Sequence, residues 1–328
     1  MLSLTVFSRT AVTLLLGLSL SGCLGSDVGV VSLRKGRPGV DRDPTLLIAT
    51  TRLPVGDPIQ KPWFSGQRSQ GLIYTKAQLT RPDRSLTGRV TMANDWTIAS
   101  MDPVQRTDAA QAFAQAALGH DTLLYIHGYK ETFETAAINT AQLSEGIRFP
   151  GATALFTWPS AASTFSYVSD RESAMWSRDA LEDLLTAVAQ TPSGGKIHIV
   201  AHSMGTLLTL ETLRMLRGSG GESAMSRVGA VVLAAPDVDF DLFSRTIERL
   251  GSDARKITVI SATNDRALAV SSRLTGVARA GAAERDRLES IGVRVADASE
   301  FAGGIINHDL FLSNREVQQV VKRSIERE

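Results

Sequence analysis

The residue in the clearest chemical context is Ser203, which lies in the segment AHSMG at residues 201–205. An aliphatic run at 196–200 predicts a strand before it, and apolar spacing at 206–217 predicts a helix after it. A serine at such a turn, with small residues two before and two after, is typical of a nucleophile elbow. The helix N-terminus would favour the negative charge that develops in acyl transfer. The alternative is a hydroxyl that only caps the helix.

A serine nucleophile needs a base, and the base needs an orienting group. His308 is the only histidine that follows Ser203, and it comes after the last predicted strand, in the segment INHD at 306–309. In the chain order serine, acid, histidine, this is the position of the base. The spacing therefore predicts His308 as the base, with a solvated loop histidine as the alternative.

Two aspartates compete for the role of acid. Asp265 follows the predicted strand 256–262, and Asp237 follows the predicted strand 228–234. Both lie where parallel strands end, which is the edge where open α/β sheets hold their sites. Asp265 is preferred because it follows the later strand. Asp237 is the alternative acid, or else a cap for the turn before the next helix.

An oxyanion hole needs two backbone N–H donors. The first expected donor is Met204, directly after the serine, and the second comes from the loop after the predicted strand 122–127. In that loop Gly128 would let the backbone approach the acyl oxygen, which makes Tyr129 N–H the second donor. Gly128 itself is the neighbouring candidate if the register differs by one residue.

The remaining chemistry-bearing residues predict no metal and no cofactor. His127 is a candidate for shaping the oxyanion loop or for a structural role, whereas His198 and His202 are expected to pack and His120 lies at a helix end. Their spacing forms no metal-binding motif, and neither a dinucleotide nor a phosphate-binding glycine pattern occurs. With 35 basic against 34 acidic residues and no basic block, nucleic acid is not an expected partner.

The elements that would position these residues alternate between strands and helices. At 43% hydrophobic and 21% charged, the 328 residues are typical of a globular protein rather than a disordered or polytopic membrane protein. The pattern predicts an α/β class with a mostly parallel eight-stranded sheet and helices on both faces. The predicted strands are 45–51, 86–93, 122–127, 152–158, 196–202, 228–234, 256–262 and 292–296. The predicted helices are 103–118, 132–148, 170–190, 206–217, 240–251 and 314–325. Residues 53–85, with four prolines, are expected to be irregular.

Six segments in order resemble a known family: HGY, FTWPS, AHSMG, AAPDVD, NDRAL and NHDLF. Together with ATTR near the first strand and DRESA after FTWPS, they make residues 45–325 similar to a bacterial α/β-hydrolase family long classed as a domain of unknown function, number 900. Its members look like esterases or lipases. The resemblance implies an α/β-hydrolase fold with Ser203, Asp265 and His308 as nucleophile, acid and base. About twenty residues between the strand 228–234 and Lys256 leave no room for a large cap.

The N-terminus looks like an export signal. Arg9 precedes an apolar run at 11–20, which as a helix of about 15 Å is too short to span a bilayer. The segment LSGC ends at Cys23, the only cysteine, and resembles a bacterial lipobox. The alternatives are an ordinary signal or an uncut anchor. We expect a signal peptide at 1–22, a lipidated Cys23 with a tether to residue 43, and a single domain at 44–328. Leu24, in place of aspartate, favours the outer membrane by this resemblance.

These expectations combine into a lipid-anchored serine esterase or lipase of the bacterial envelope, facing the periplasm, with a small-molecule ester or lipid as substrate. A thioesterase, an amidase or peptidase, an acyltransferase, or a non-catalytic binding module on the same fold remain alternatives. Phe165, Tyr167, Met175 and Trp176 are expected either to wall the pocket or to pack in the core. The stretch 266–291 is the candidate for the opposite wall.

Overall fold

The computed structural model describes residues 43–56, 61–82, 95–105, 107, 112, 119–189, 195–301 and 308–328. All of these residues fall within one unit, Arg37–Glu328. The predicted signal peptide, Cys23 and the tether up to residue 42 lie outside the described residues. The predicted strand 86–93 and most of the predicted helix 103–118 also lie outside them.

The described strands form one sheet of nine strands, one more than predicted. The strands in chain order are β1 Thr45–Pro54, β2 Phe64–Thr80, β3 Thr97–Val104, β4 Thr122–Ile126, β5 Ala152–Thr157, β6 Ile197–His202, β7 Val228–Ala234, β8 Ile257–Ser261 and β9 Arg294–Asp297. Their spatial order is β3-β2-β1-β5-β4-β6-β7-β8-β9. The strands β1, β5, β4, β6, β7, β8 and β9 pair parallel in that spatial order, whereas β2 pairs antiparallel with both β1 and β3. The carboxyl ends of β4, β6, β7 and β8 therefore meet at one edge.

The prediction that residues 53–85 are irregular was wrong for 64–80, which form the long strand β2. The prolines misled it because they lie outside that strand: Pro54 ends β1, and Pro62 and Pro82 flank β2. Strand β3 likewise takes Pro103, the first residue of the predicted helix 103–118. Proline is tolerated there because β3 is the edge strand of the described sheet, with β2 as its one neighbour.

Nine α-helices are described, and they connect most of the strands. They are α1 Phe133–Ile147, α2 Tyr167–Trp176, α3 Arg178–Ala189, α4 Met204–Met225, α5 Phe240–Leu250, α6 Arg266–Thr275, α7 Arg285–Glu289, α8 Leu310–Ser313 and α9 Arg315–Glu326. The predicted single helix at 170–190 is two helices, since the chain turns at the buried Ser177. The Ser177 hydroxyl lies 2.8 Å from the hydroxyl of Thr51 on β1, a contact between distant parts of the chain. Between β7 and β8 the only α-helix is α5, so the absence of a large cap there agrees with prediction.

Apolar side chains lie on both faces of the sheet. Leu47 and Ala49 of β1 join the core that packs under α2, α3, α4 and α5. The alternate residues Leu46 and Ile48 join the core under α1, α8 and α9. Alternate side chains of a strand point to opposite faces, and both faces are buried here. This explains why the sequences of the parallel strands are continuously apolar. The predicted α/β-hydrolase architecture, with helices on both faces, is confirmed.

Helix α4 is the longest described helix, and it begins directly after Ser203. Its backbone breaks at Gly221, where φ is 58°, a value that glycine tolerates without strain. Across the described part of the chain, no helix combines the length and the apolar character that crossing a bilayer requires.

The strand β2 can be tested by truncating its inward side chains. Leu79 is fully buried in the core beside α1, so Leu79→Ala is expected to lower the free energy of unfolding by about 2–5 kcal/mol. Lys76 is exposed on the same strand, and Lys76→Ala serves as the control, with a change within about 0.5 kcal/mol. Urea denaturation measures both. An unchanged midpoint for Leu79→Ala would contradict the placement of β2.

Candidate active site

Ser203 occupies a strained turn between the central strand β6 and helix α4. Its φ of 49° and ψ of −119° lie in a region that L-residues rarely adopt, at a cost of about 1–3 kcal/mol. The backbone holds this shape, since Ser203 N–H donates to Ala234 O at 2.9 Å and Ser203 O accepts from Thr206 N–H at 3.0 Å. The Ser203 side chain makes no capping hydrogen bond to α4. The hydroxyl at this helix start is therefore not used as a cap.

The small residues around Ser203 are required by close packing. A Cβ atom on Gly205 would lie 2.3 Å from the carbonyl oxygen of His127, at the end of the neighbouring strand. Ala201 is fully buried in the core on the side of α4. The start of α4 therefore sits directly against the end of β4, which brings the turn at Ser203 next to the loop after β4.

Asp265 and His308 are joined by a hydrogen bond. Asp265 follows β8, and its Oδ2 lies 2.8 Å from Nδ1 of His308. The other carboxylate oxygen accepts from the first N–H groups of α6, Ala267 and Leu268, at 2.8 and 3.1 Å. Burial raises the pKa of Asp265, but the bonds from His308, Leu268 and Ala267 outweigh it, so the pKa lies below its ordinary value. A charged carboxylate can only accept, so His308 Nδ1 carries a proton, and in the neutral imidazole Nε2 then holds the lone pair.

Asp237, the alternative acid, has different partners. Its Oδ1 lies 3.1 Å from Nε of the buried Arg279 and accepts from Ser271 Oγ at 2.5 Å. Its Oδ2 accepts from the Tyr167 hydroxyl at 2.9 Å. Asp237 thus ties α2, α6 and the segment at Arg279 together behind the turn, and its backbone N–H bonds to Ser203 O at 3.3 Å.

His202, the residue before Ser203, packs against His308. The ring of His202 lies 4.7 Å from the ring of His308, centroid to centroid. Among the described residues, no hydrogen bond joins the Ser203 hydroxyl to His308. Such bonds are often long in an enzyme without substrate and tighten in the complex.

The loop after β4 brings backbone groups against the serine. A Cβ on Gly128 would lie 3.0 Å from Cβ of Ser203, so glycine is needed for this approach. The Gly128 carbonyl accepts from Nδ1 of the buried His127 at 2.8 Å. Because the peptide unit is planar and trans, the N–H of Tyr129 points the opposite way from that carbonyl. Met204 N–H begins α4, where the first N–H groups have no partner inside the helix.

A chain of hydrogen bonds fixes the His127 ring. Arg52 Nε–H donates to Thr157 Oγ1 at 2.9 Å, which leaves the Thr157 hydroxyl to donate to His127 Nε2 at 2.9 Å. The ring also stacks on Trp158, with centroids 4.7 Å apart. Burial and the nearby Arg52 hold the pKa of His127 well below its ordinary value, so the ring is neutral. His127 therefore has the structural role that sequence analysis left open.

Arg52 contributes to the surroundings of the site, although the sequence pointed to it only as the last residue of the segment ATTR. Its guanidinium is buried on β1 and donates to the carbonyls of Ser160 and Glu131 at 3.0 and 2.7 Å. Burial lowers the pKa of Arg52 to about 10, which still leaves it charged at neutral pH. The segments ATTR, HGY and FTWPS meet here, and only their convergence in space reveals the contact. No local spacing in the sequence signals it.

The other histidines occupy separate places. His198 is buried, and its Nε2 lies 3.1 Å from Asp121 while Nδ1 accepts from Ala230 N–H. His120 is exposed. Within the described ranges, no group of three or more His, Cys, Asp or Glu residues could hold a metal ion.

The predicted wall residues divide into two pairs. Phe165 is 98% exposed and Trp176 is 41% exposed, so neither is a core residue. Tyr167 and Met175 are partly buried and pack against the core under α4. A cavity of about 390 Å³ lies elsewhere, at the opposite edge of the sheet beside Asp43 and Arg148.

Comparisons with known proteins agree with this architecture. A family model described as an α/β hydrolase of unknown function (DUF900) matches residues 106–324. No curated protein matches the chain.

Several solved structures are similar at low identity. A hyperthermophilic esterase from the archaeon Pyrobaculum calidifontis is 14% identical, with 88% of this chain and 84% of that one covered and a TM-score of 0.40. The carboxylesterase EstE1, from a metagenomic library, is 14% identical, with 79% and 84% covered and a TM-score of 0.40. A cutinase-like protein from Cryptococcus sp. is 17% identical, with 64% and 94% covered and a TM-score of 0.38.

The two aspartates are expected to differ in what their loss does to folding. Asp237→Ala leaves the charge of Arg279 buried without its partner, so the free energy of unfolding should fall by about 3–5 kcal/mol. Asp265→Asn keeps a side chain of the same shape and is expected to cost less than Asp237→Ala. Thermal and urea unfolding of both variants measure this difference. Equal stability of Asp237→Ala and wild type would contradict a structural role for Asp237.

Proposed function

Because this chain belongs to the DUF900 family of α/β hydrolases, we propose that it is a membrane-anchored serine hydrolase that cleaves carboxylic esters through Ser203. One observation carries the proposal: the hydrogen-bonded pair of Asp265 and His308 lies at the same sheet edge as a strained serine that caps nothing. This is the set of roles that acyl transfer through a covalent intermediate requires.

The proposed reaction proceeds in two halves. Nε2 of His308 takes the proton of Ser203 Oγ as that oxygen bonds to the ester carbonyl carbon, which forms a tetrahedral oxyanion. The intermediate collapses, the ester C–O bond breaks, and His308 returns the proton to the leaving alcohol. A water then loses a proton to His308 and attacks the acyl carbon. The second tetrahedral intermediate collapses, the bond to Ser203 Oγ breaks, and His308 returns the proton to that oxygen as the carboxylic acid leaves.

Asp265 supports both halves by remaining charged. Its low pKa means that it is ionised throughout the neutral range, where it stabilises the imidazolium that forms on His308. The lowered pKa of Asp265 also makes the stability of the fold depend on pH. A lowered pKa in the folded state contributes stability above the ordinary aspartate range, and this contribution is lost as the pH falls through the folded pKa.

Two backbone donors are proposed for the oxyanion. Met204 N–H lies at the start of α4, and Tyr129 N–H points away from the Gly128 carbonyl that His127 holds. Backbone donors fixed before reaction stabilise developing charge without reorganisation, and each is worth about 10² to 10³ in turnover. The His127 and Arg52 contacts support this part of the proposal because they fix the orientation of the Gly128 peptide.

The surroundings of the site favour an ester with an apolar part. Phe165 and Val168, at the start of α2, are exposed, as are Val270 and Leu274 on α6. Tyr167 of α2 lies 2.8 Å from Ser271 of α6, hydroxyl to hydroxyl, and both contact Asp237, whose backbone N–H bonds to Ser203 O. The exposed apolar side chains of α2 and α6 are therefore proposed as a surface for an apolar group of the substrate. An acyl or alkyl group that covered them would gain roughly 25 cal/mol per Å² of apolar surface removed from water.

Activity of Ser203 can be tested without a substrate. A fluorophosphonate probe is expected to form one adduct on Ser203, located by mass spectrometry of protein from residue 24 onward. Ser203→Ala should abolish labelling, and His308→Ala and Asp265→Asn should slow it by about 10³-fold or more. A panel of esters, thioesters and amides then separates the proposed esterase from the other acyl-transfer enzymes, and longer acyl chains should be preferred.

Three results would contradict the proposal, in whole or in part. A folded protein that the probe leaves unlabelled would favour a non-catalytic binding module. Labelling that persists in Ser203→Ala would place the nucleophile elsewhere. Hydrolysis of thioesters or amides in preference to esters would replace the substrate class but keep the nucleophile.

The location is part of the same proposal: a lipid anchor on Cys23, in the outer membrane facing the periplasm. Two or more acyl chains hold a protein on a membrane stably, whereas one does not. Expressed with its leader in a bacterium, the chain is expected to fractionate with membranes and to carry a diacylglyceryl thioether on Cys23 by mass spectrometry. Cys23→Ser should release it or leave the leader uncut. An unmodified cysteine in mature protein would overturn the anchor.

A further inference from the structure

His202 directly precedes the proposed nucleophile and contacts the segment of the proposed base, and it has no role in the proposed reaction. It is the last residue of β6, it directly precedes Ser203, and it is 4% exposed. Its ring lies 4.7 Å from the ring of His308 and 4.9 Å from the ring of Phe311, centroid to centroid. The sequence predicted only a packing role for His202.

One nitrogen of His202 contacts the backbone of the base. His202 Nε2 lies 3.2 Å from the carbonyl oxygen of His308 and 3.4 Å from Oδ1 of Asp309. Both of these oxygens accept hydrogen bonds, so Nε2 must carry a proton to make the contact favourable. The proton therefore links the end of β6, where Ser203 lies, to the segment that carries His308.

The other nitrogen faces a carboxylate across a short gap. His202 Nδ1 is buried and has no hydrogen-bond partner among the described residues, with Oε1 of Glu131 at 3.9 Å. Glu131 is itself held by Asn139, which donates to Oε2 at 2.9 Å. A Cβ on Gly128 would lie 2.7 Å from Nδ1, so the ring is confined on that side by the oxyanion loop.

We propose that His202 is a positioning residue for the triad: its Nε2–H holds the backbone of His308 so that the imidazole stays between Ser203 and Asp265. The inference rests on the proposed function and deepens it, since it concerns the regulation of the same site. His202 touches neither the ester nor the reacting atoms, so its effect on catalysis passes through His308.

The charge of His202 makes this contact depend on pH. Burial lowers the pKa of His202, but Glu131, Asp309 and the carbonyl of His308 together outweigh it, and the pKa lies above its ordinary value. The charged and titratable groups that face the ring come from three segments of the chain. They are His127 just after β4, Glu131 in the following loop, and His308 and Asp309 in the last segment, while Tyr125 in β4 and Arg52 on β1 contact Glu131.

The imidazolium of His202 carries a proton on both nitrogens. It therefore interacts favourably with the carboxylates of Glu131 and Asp309 and with the carbonyl of His308 at the same time. The neutral ring has a single proton, for which Glu131 at Nδ1 competes with His308 O at Nε2. A raised folded pKa means that the charged form is kept below that pKa and lost as the pH rises through it. Raising the pH should therefore weaken the hold on His308.

Two amide substitutions of His202, to asparagine and to glutamine, distinguish the contribution of Nδ1 from that of Nε2. The amide nitrogen of glutamine reaches the position of Nε2, whereas that of asparagine reaches only the position of Nδ1. His202→Asn is expected to lower kcat for ester hydrolysis, and the rate of fluorophosphonate labelling, by about 10- to 100-fold, because displacement of a catalytic group by about 1 Å costs on the order of 10². KM should change little. His202→Gln should recover most of the loss.

The pH profile gives a readout that a packing role would not move. Wild type should lose activity on the alkaline side, and His202→Gln should not show that loss because an amide does not titrate. Glu131→Gln removes the carboxylate that competes for the proton of the neutral ring, so the proton stays on Nε2 and the alkaline loss of activity should shrink or disappear. This second variant keeps the test decisive if His202→Asn fails to fold, which thermal unfolding reports.

Three results would overturn the inference: equal labelling rates for wild type and a folded His202→Asn, no advantage of glutamine over asparagine, or an alkaline profile that Glu131→Gln leaves in place. Failure of the proposed function is distinct, since it would appear as wild-type protein that the probe does not label. A labelled wild type with unaffected His202 variants would leave the serine hydrolase standing and reject only the role of His202.

Discussion

The burial of one cation, the guanidinium of Arg52, constrains the centre of the molecule. A buried charge is tolerated only when its donors are satisfied, and Arg52 meets this condition with Thr157 Oγ1 and with the carbonyls of Ser160 and Glu131. These acceptors belong to the end of β5, the segment after it and the loop after β4. Their geometry is set by the need to solvate the charge, so three pieces of backbone are held together beside the proposed site.

The parts of the site are mostly backbone groups held by side chains that do no chemistry. His127 orients the Gly128 peptide, the contacts of Ala234 and Thr206 hold the turn at Ser203, and the first N–H groups of α6 orient Asp265. Strain of about 1–3 kcal/mol at one φ angle is sustained because the surrounding structure over-determines it. Such a site depends on packing throughout the sheet rather than on the reacting residues alone.

The sequence predicted what is encoded locally or in chain order. Ser203 stood out because the predicted strand, turn and helix follow each other within the 22 residues 196–217, and the structure joins Asp265 to His308 as chain order suggested. Strand β2 was missed because flanking prolines dominate its neighbourhood, although Leu79 and Tyr74 are buried. The Ser177 contact at the helix break and the Arg52 contacts with Thr157, Ser160 and Glu131 join residues 79 to 126 positions apart, and a local sequence pattern cannot signal contacts over such separations.

Because the central strands are parallel, the sheet has an amino edge and a carboxyl edge. The described chain enters the sheet at the first edge, and the proposed site lies at the second. Strand β1 begins at Thr45 beside the amino edge of β5, whereas Ser203 follows the carboxyl end of β6. Six residues of strand span about 20 Å, while the 20 residues from Cys23 to Asp43 would reach at most about 70 Å when extended. If Cys23 is the attachment point, that maximum length exceeds the depth of the sheet from its amino edge to Ser203. At full extension it is enough for the far edge of the sheet to reach the surface that holds Cys23.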